Sequence, residues 1–571
     1  MLYYGSVFPL QIIIHILQFL PLSDRISASQ VCRLWHMASK DFRLHGSEVV
    51  VLQDDLTRPL HVFENSLGTF LNFLFKEVEL GRKLAKFWDR FCPQMRSLSM
   101  HSCDVTEKAF VDILLSCSHL EILNLNGCRE LLMSGRVLEH KSDVNQLRMN
   151  LVNLRELSLA SNRYLSDALF NRFVAIAPNL EDLSLSGCQI SFHTGLCKRF
   201  YPGGMSELDN IMASESVLTF HNILKYIMSQ AGKIQKLRFD HTLIDNSALS
   251  QLAEVPALHL RALHLDTCDQ LNNTSILQLT EYQQTLTELN LRNCSRISDV
   301  ALIAICHNLQ NLSILSMQSC PAITNVGVAE LHHLKKLVDL NLSHCEQVTG
   351  DGIRRGLCTF VNTKFRRLFL TALSLDETTV CHIAEYLPGL THLDLGWCFN
   401  AVTDASVQAV CHYQVWLRSL KLTHCDKVTD AGLTGMGLRS GETEQQKNKT
   451  EARALVENEI SGMLSMGSDG GQHSDHLHKI SLRSRAEQDI VNDAKRKKVI
   501  LQMCEDQDTE EVENGFSLAR LKGMWSVLIF KYRRLMLSLQ DVTQNRMIII
   551  FMFLLRFART RFEWLQQNYR C

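Results

Sequence analysis

Cysteine and histidine are neighbours at several places in the sequence, and both side chains are common metal ligands. The neighbouring pairs are Cys306-His307, His344-Cys345, Cys381-His382, Cys411-His412 and His424-Cys425. A structural zinc site needs four ligands that converge on one point. These pairs are instead spread along the chain at the spacing of a longer repeat. We therefore predict no metal and no other cofactor.

The sequence also lacks the short motifs that usually carry catalysis. It contains no Gly-Lys-Ser/Thr phosphate loop, no Gly-x-Ser-x-Gly nucleophile turn and no His-Glu-x-x-His zinc helix. Lys and Arg number 59 against 60 Asp and Glu, so the formal net charge is −1. Such a balance gives no general attraction to nucleic acid or to anionic lipid. We predict a non-catalytic protein that does not bind nucleic acid.

Many of the cysteines belong to a repeat in which Leu-x-Leu is followed three residues later by Cys, about every 26 residues. Copies of this pattern include Leu263-His-Leu265-Asp-Thr-Cys268, Leu289-Asn-Leu291-Arg-Asn-Cys294, Leu315-Ser-Met317-Gln-Ser-Cys320, Leu340-Asn-Leu342-Ser-His-Cys345, Leu393-Asp-Leu395-Gly-Trp-Cys398 and Leu420-Lys-Leu422-Thr-His-Cys425. A period of this length with this apolar pattern indicates a leucine-rich-repeat solenoid. The predicted fold is α/β, with parallel strands inside a curved stack and helices outside. Such a stack is usually a binding surface.

The repeat predicts the state of the cysteines. A buried thiol at a fixed phase can donate a weak hydrogen bond to the turn that leaves the strand. Free thiols indicate a reducing compartment, so we expect a cytoplasmic protein. The basic cluster Lys495–Lys498 could add nuclear import, although four charges in a solvated linker more often have no function.

Between strand and helix a second signature recurs, as in Ile297-Ser-Asp299 and Val402-Thr-Asp404. Its Ser or Thr and its Asp are expected to cap the helix that follows. Two intervals between strands are longer than the period. There we predict loops at about 130–148 and 196–216.

The first 45 residues have a different pattern. Ile12, Ile13, Ile16, Leu17 and Leu20 follow a helical spacing that Pro21 ends, and Ser23 or Asp24 can cap a second helix. No Lys or Arg precedes the apolar run, which argues against a signal peptide. A unit of about 40 residues cannot bury every face of so apolar a helix, so part of its surface should meet a partner. The alternative is that Ile12, Ile16 and Trp35 form a small core, and for Trp35 we favour that alternative.

This segment resembles an F-box. The matching residues are Phe8-Pro9, Ile12-Ile13, Ile16-Leu17, Phe19-Leu20-Pro21, Asp24-Arg25 and Val31-Cys32-Arg33-Leu34-Trp35. Departures are Gln11, where Glu is usual, and His45, where a Trp often closes the motif. Together with the repeats, the chain resembles the F-box and leucine-rich-repeat family of the cysteine-containing type.

The resemblance implies a substrate-recognition subunit of an SCF-type cullin–RING ubiquitin ligase, which performs no catalysis itself. The F-box would bind a small adaptor of the S-phase-kinase-associated family, and through it a cullin. The repeats would bind an unknown target protein. The residues implied in the adaptor contact are Pro9, Ile12, Ile13, Leu17, Leu20 and Pro21. The alternative is a repeat scaffold with no role in ubiquitin transfer.

Target-binding candidates follow from the alternation of strand side chains. Because the leucines of a strand point inward, their neighbours face the other, concave side. The candidates are Glu288, Asn290, Arg292, Arg367, Phe369, Asp394 and Lys421. A large exposed aromatic is a plausible anchor, so Phe369 stands out among them.

The expected organisation has five parts. An F-box covers 5–48, and a linker at 49–94 packs on the first repeat. Leucine-rich repeats cover 95–438. A polar segment at 439–514 is predicted to be disordered, and a partial repeat start with an apolar, basic tail occupies 515–571. The apolar run Met547–Leu555 is far shorter than the roughly 20 residues of a membrane-spanning helix, so no transmembrane segment is expected. We interpret the tail as an array cut off by an alternative end.

Overall fold

The computed structural model describes residues 10–20, 22–46, 48–53, 70–80, 84–192, 214–429 and 432. They divide into two units. The first comprises residues up to Ala322 together with His333–Lys336, and the second comprises Ile323–His332 and the residues from Leu337 onward. The predicted segments 439–514 and 515–571, the cluster Lys495–Lys498 and most of the predicted loop 196–216 lie outside the described residues.

Four helices open the first unit: α1 (Leu10–Gln18), α2 (Leu22–Ser29), α3 (Arg33–Ser39) and α4 (Phe42–His45). The helical spacing of α1 brings Ile13, Ile14 and Leu17 to one side, where they are buried. Ala28, Ala38 and Leu44 from the other three helices complete this small core. The predicted helical segment is therefore confirmed.

Parallel strands make up the rest of the first unit, with bounds β1 Val49–Gln53, β2 Asn72–Lys76, β3 Ser97–His101, β4 Ile122–Asn126, β5 Glu156–Ser158, β6 Asp182–Ser184, β9 Lys236–Arg238, β10 Ala262–His264, β11 Glu288–Asn290 and β12 Ile314–Ser316. The second unit has β13 Asp339–Asn341, β14 Arg367–Phe369, β15 His392–Asp394 and β16 Ser419–Lys421. Pairing aligns leucine with leucine, as Leu263 with Leu289. Both leucines of each repeat are buried, as Leu289 and Leu291 show.

Helices alternate with the strands. Those of the first unit are α5 Ala85–Phe91, α6 Glu107–Ser116, α7 Arg129–Met133, α8 Lys141–Asn150, α9 Asp167–Ala175, α10 Phe220–Ser229, α11 Asn246–Ala253, α12 Asn273–Tyr282 and α13 Asp299–Asn308. Those of the second unit are α14 Asn325–Ala329, α15 Gly350–Leu357, α16 Glu377–Tyr386 and α17 Asp404–Tyr413. This alternation confirms the predicted α/β class.

The sheet starts earlier than the Leu-x-Leu pattern does. The segment 49–94 contributes β1 and β2, which pair in parallel with each other, and β2 pairs with β3. Phe73 and Phe75 take the inward positions that leucines occupy elsewhere, and both rings pack on Phe87 of α5. The segment is thus part of the repeat array rather than a linker beside it.

The predicted loop at 130–148 is wrong. That interval holds α7 and α8, and Leu131, Leu132 and Leu147 are buried. The extra residues are used for an additional helix because they carry enough apolar side chains to join the core. The other long interval is flanked by β7 (Ile190–Ser191) and β8 (Leu218–Thr219), which pair with each other.

The repeat cysteines donate hydrogen bonds to the preceding repeat. The Cys294 thiol lies 3.2 Å from the Leu265 carbonyl oxygen, and the Cys320 thiol lies 3.1 Å from that of Leu291. Further bonds of this kind join Cys128 to Met100, Cys188 to Leu159, Cys268 to Phe239, Cys398 to Leu370 and Cys425 to Leu395. Burial raises the pKa of the Cys294 thiol to about 12, so it stays protonated and can donate. The predicted donor role is confirmed.

An Asn or Asp at the start of a repeat helix forms hydrogen bonds with a Ser or Thr of the next repeat. Asn273 accepts from the Ser298 amide at 2.9 Å and donates to the Ser298 hydroxyl at 2.8 Å. In the second unit Asp404 accepts from the Thr429 amide at 2.7 Å and from its hydroxyl at 2.6 Å. Equivalent contacts join Asp167 to Thr219 and Asn325 to Thr349.

The capping prediction was therefore correct for only part of the signature. The Thr403 hydroxyl does cap its own helix, by accepting from the Ser406 amide at 3.3 Å. The Asp of the same signature acts between repeats instead. Close approach is needed for this contact, since a Cβ on Gly432 would lie 2.3 Å from Asp404 Oδ1.

Asn273→Ala should lower the free energy of unfolding by roughly 1–3 kcal/mol, because it leaves the Ser298 amide without its acceptor. Asn273→Asp should cost less, since the carboxylate of Asp404 accepts the same two hydrogens from Thr429. Urea unfolding followed by circular dichroism measures both values. An unchanged free energy of unfolding in Asn273→Ala would show that the contact between repeats contributes nothing.

Candidate protein-interaction surfaces

Helix α1 has a buried face and an exposed face, and the predicted adaptor residues lie on both. Ile13 is 1% exposed and Leu17 is 0% exposed, so these two residues form the core. Both face inward, one turn apart on α1, so their part in an adaptor contact stays a prediction. Ile12 is exposed and Leu20 half-buried. Pro9 and Pro21 lie outside the described residues.

Other apolar side chains in the four helices and the turns between them also reach the surface. Phe19 is 59% exposed, and Ile26, Val31 and Met37 are exposed as well. The sequence pattern alone did not select Phe19 as a contact residue, although it directly follows α1 and lies seven residues after Ile12. Trp35 is half-buried and packs against the small core, as we favoured. We call Ile12, Phe19, Ile26, Val31 and Met37 the exposed apolar set.

Polar contacts attach the four helices to the first strands. The Arg25 guanidinium donates to the Leu20 carbonyl at 2.7 Å and forms an ion pair with Glu48 at 2.6 Å. The Asn72 amide group donates to the carbonyls of Gly46 and Glu48 at 2.9 and 3.0 Å. Side chains of α2 and β2 thus both bind the residues that directly follow α4.

The strand face of the first unit carries a network of charges. Glu288 accepts from His264 Nε2 at 3.0 Å, and this bond holds the pKa of the Glu288 carboxyl below its usual value. Arg292 lies 3.9 Å from Asp266, and the Asn290 side chain accepts from the Arg292 amide at 3.1 Å. The predicted residues Glu288, Asn290 and Arg292 are thus brought together on one face.

Asp182 is the most buried charge of this face. Its carboxylate lies 2.8 Å from Arg238, while Oδ1 has no hydrogen-bond partner among the described residues. Burial raises the pKa of Asp182 to about 6, against the opposing attraction of Arg238. The sequence gives no sign of this, because burial of a strand-face residue depends on its neighbours.

The second unit presents its own strand face. Arg367 is ion-paired with Asp339 at 2.5 Å, and Lys421 is paired with Asp394 at 3.4 Å. Each of these predicted charges is therefore paired with an opposite charge on an adjacent strand. Phe369 is half-buried rather than fully exposed, so the expectation of a prominent aromatic anchor there is weakened.

Exposed aromatics do occur in the second unit, at the turns that follow the strands. Trp397 is 46% and Phe399 48% exposed, with ring centroids 5.8 Å apart. The His424 ring lies 4.0 Å from that of Trp397. Trp397 has a left-handed backbone with φ of 63°. The residue before the repeat cysteine is left-handed in other repeats too, at Thr267, Asn293, Ser319, His344 and His424.

A strained, exposed tryptophan indicates a role at the surface rather than in the core. The sequence could have indicated this tryptophan, because the position before each cysteine requires a left-handed backbone and is usually a polar residue. A tryptophan there departs from that pattern.

Comparison with known families supports both parts of this description. The F-box domain family matches residues 6–46, and the leucine-rich-repeat family matches residues 282–306 and 414–437. The chain carries an F-box and leucine-rich repeats. Helices α1–α4 are therefore the F-box of this protein, and the exposed apolar set belongs to it.

Among curated proteins, the F-box and repeat chain is similar to the BTB/POZ domain-containing protein FBL11 of Arabidopsis thaliana. The two are 25% identical over 161 residues, which are 25% of this chain and 16% of that protein. The match thus spans about a sixth of the length of that relative.

Among solved structures, the chain is similar to the Rad7 and Elc1 complex of yeast, at 16% identity and a TM-score of 0.44 over 74% of this chain and 93% of that one. The TLR13–ssRNA13 complex matches at 20% identity and a TM-score of 0.32, over 65% and 48%. None of the helices that the structure describes combines the length and the hydropathy of a membrane span.

Asp182→Asn should change how stability depends on pH. The folded pKa of about 6 lies above the unfolded value of about 3.9, so Asp182 favours folding below pH 4 and this contribution is lost as pH rises through 6. Between pH 4 and pH 7, the free energy of unfolding of the variant should rise by about 3 kcal/mol relative to that of the parent. The exposed Asp269→Asn serves as the control, and a parallel pH dependence of the variant and the parent would contradict the burial of a charge.

Trp397→Gly should leave the free energy of unfolding within about 1 kcal/mol of the parent, because relief of the left-handed backbone offsets the lost ring contacts. Trp88→Gly is the matched control. Trp88 is buried, and its removal should cost roughly 3–5 kcal/mol. Urea unfolding measures the free energy of unfolding of both variants. Equal decreases would show that Trp397 stabilises the fold as a core residue does.

Proposed function

We propose that this protein is a substrate-recognition subunit of an SCF-type cullin–RING ubiquitin ligase. The observation that carries the proposal is an F-box that leaves apolar side chains at its surface, in one chain with leucine-rich repeats. The F-box would bind an adaptor of the S-phase-kinase-associated family, and the adaptor would bind a cullin. The subunit itself would perform no chemistry, because other subunits hold the ubiquitin-charged enzyme.

The exposed apolar set supports the adaptor contact. A phenylalanine that is more than half exposed, such as Phe19, contributes about 1.5–3 kcal/mol when a partner covers it. Ile12 and Leu20 remain in the proposed contact, and Pro9 and Pro21 are proposed with them from the family resemblance. Ile13 and Leu17 support the contact from inside by fixing α1 against α3 and α4.

The strand faces of the repeats are the proposed target-binding surfaces. In the first unit the surface includes Glu288, Asn290 and Arg292, and in the second Arg367, Phe369, Asp394 and Lys421. The charged side chains of these surfaces are paired across strands. We therefore expect them to contribute more to the choice of partner than to the binding affinity. The aromatic pair Trp397 and Phe399 adds apolar contact area in the second unit.

We also propose that the protein acts in a reducing compartment, the cytoplasm, with the nucleus as a second site. Cysteines such as Cys294 and Cys398 support this, because their buried thiols donate hydrogen bonds to backbone carbonyls instead of forming disulfides.

The double variant Ile12→Asp with Phe19→Asp should bind recombinant adaptor at least ten-fold more weakly than the full-length parent, because two carboxylates would face an apolar partner. Isothermal titration calorimetry with the adaptor measures the affinity. Met133→Asp is the matched control, since Met133 of the repeats is 56% exposed and Phe19 is 59% exposed.

The control variant should bind like the parent. Failure of the intact chain to bind adaptor would instead favour a repeat scaffold without a ligase role. Equal binding by the double variant would remove Ile12 and Phe19 from the adaptor contact. Ile13→Asp should act differently, by lowering the thermal stability of the F-box helices.

A further inference from the structure

Two histidines of the first unit stand at equivalent positions of successive repeats. His307 lies in the last turn of α13. His333 follows about 26 residues later, one period of the repeat, and directly precedes the buried Leu334. Stacking of repeats makes equivalent positions neighbours, so two residues that are distant in the sequence meet here.

The two imidazole rings lie close together at the surface. Their centroids are 4.5 Å apart, and the ring planes are tilted by 43°. A ring nitrogen of His307 lies within 4.8 Å of a ring nitrogen of His333. His307 is exposed and His333 is half-buried, so an ion from the solvent can reach the pair.

The backbone on both sides of the pair is held by hydrogen bonds. The Gln310 side-chain amide donates to the His307 carbonyl at 3.1 Å. The Lys335 amide donates to the His333 carbonyl at 3.0 Å, and the neighbouring Leu334 is buried in the core. Only rotations of the side chains are therefore needed to aim both nitrogens at one ion. A ligand pair that is fixed in this way loses little entropy on binding.

We propose that His307 and His333 bind one Zn²⁺ ion between successive repeats, with water at its remaining coordination positions. Imidazole nitrogen is a preferred ligand of Zn²⁺, at about 2.0–2.1 Å. Two nitrogens on one tetrahedral ion are then roughly 3.3 Å apart, a separation that this pair can reach by small side-chain rotations. The prediction of no metal rested on neighbouring cysteines and histidines, whereas these two ligands come from different repeats.

The ion would join two repeats, as the asparagine and cysteine contacts do elsewhere in the unit. A structural zinc site has four protein ligands, so a site with two of them exchanges its ion more readily. An ion that binds only the folded arrangement stabilises it increasingly as the free zinc concentration rises. The stability of these repeats would thus depend on zinc. This inference is independent of the proposed function.

Isothermal titration calorimetry of ZnCl₂ into the metal-free, full-length protein tests the proposal. His307→Gln and His333→Gln should each weaken zinc binding by roughly ten-fold or more, because each removes one of the two protein ligands. Glutamine is polar and uncharged, so it keeps the surface close to that of the parent.

His332→Gln is the matched control. It removes the histidine beside His333, whose Nδ1 lies 2.8 Å from the Ala329 carbonyl oxygen. Its zinc affinity should equal that of the parent. Absence of zinc binding by the parent, equal affinities in the parent and the His307→Gln and His333→Gln variants, or an equal loss in the control would overturn the proposal.

Co²⁺ distinguishes histidine ligands from cysteine ligands, because it accepts the same ligands as Zn²⁺ and absorbs visible light. Cobalt bound to the two imidazoles should give visible bands without the near-ultraviolet band of a cobalt–thiolate bond. The double variant His307→Gln with His333→Gln should lose the visible bands. Visible bands that persist in it, or a thiolate band alone, would assign the ion to cysteines and overturn the proposal.

Thermal unfolding gives an independent readout. Zinc should raise the unfolding temperature of the parent and leave that of the double variant unchanged. In the presence of a chelator, the parent and the double variant should unfold at the same temperature. An equal rise with zinc in both proteins would place the ion elsewhere and overturn the proposal.

Discussion

The structure depends on each repeat satisfying buried polar groups of its neighbour. A repeat of about 26 residues is too small to bury its own strand and helix ends, so its orphan amide and carbonyl groups need partners. Asn273 supplies an acceptor and a donor to Ser298, and the Cys294 thiol supplies a donor to Leu265. Since both contacts run between repeats, neither a single helix nor a single strand of the array is stable alone.

This arrangement leaves other surfaces available for partners. The leucines and thiols face inward, so the strand face holds charged and polar residues that pair with one another, as Lys421 does with Asp394. The surface of the F-box is different. Its core is filled by Ile13, Ile14 and Leu17, so further apolar side chains remain at its surface.

The periodic features were predictable from the sequence because they depend on spacing alone. Leu289 and Leu291 are buried, and Cys294 donates to the neighbouring repeat, as the period implied. Phe73 and Phe75 were missed because aromatics replace the leucines of the pattern. Asp404 was taken as a cap of its own helix, since a sequence does not show that the next repeat comes within 3 Å of its carboxylate. The two faces of α1 could not be separated either, because Ile12 and Ile13 are equally apolar and only packing distinguishes them.

Hydrogen–deuterium exchange of the full-length chain, alone and with an adaptor–cullin complex, tests the central claim most directly. In the free protein the amides of Ser298 and Thr429 should exchange slowly, because Asn273 and Asp404 accept their hydrogens. Addition of the complex should slow exchange within residues 10–46 and leave the strands unchanged. Unchanged exchange in 10–46, or slowing confined to the strands, would contradict the account.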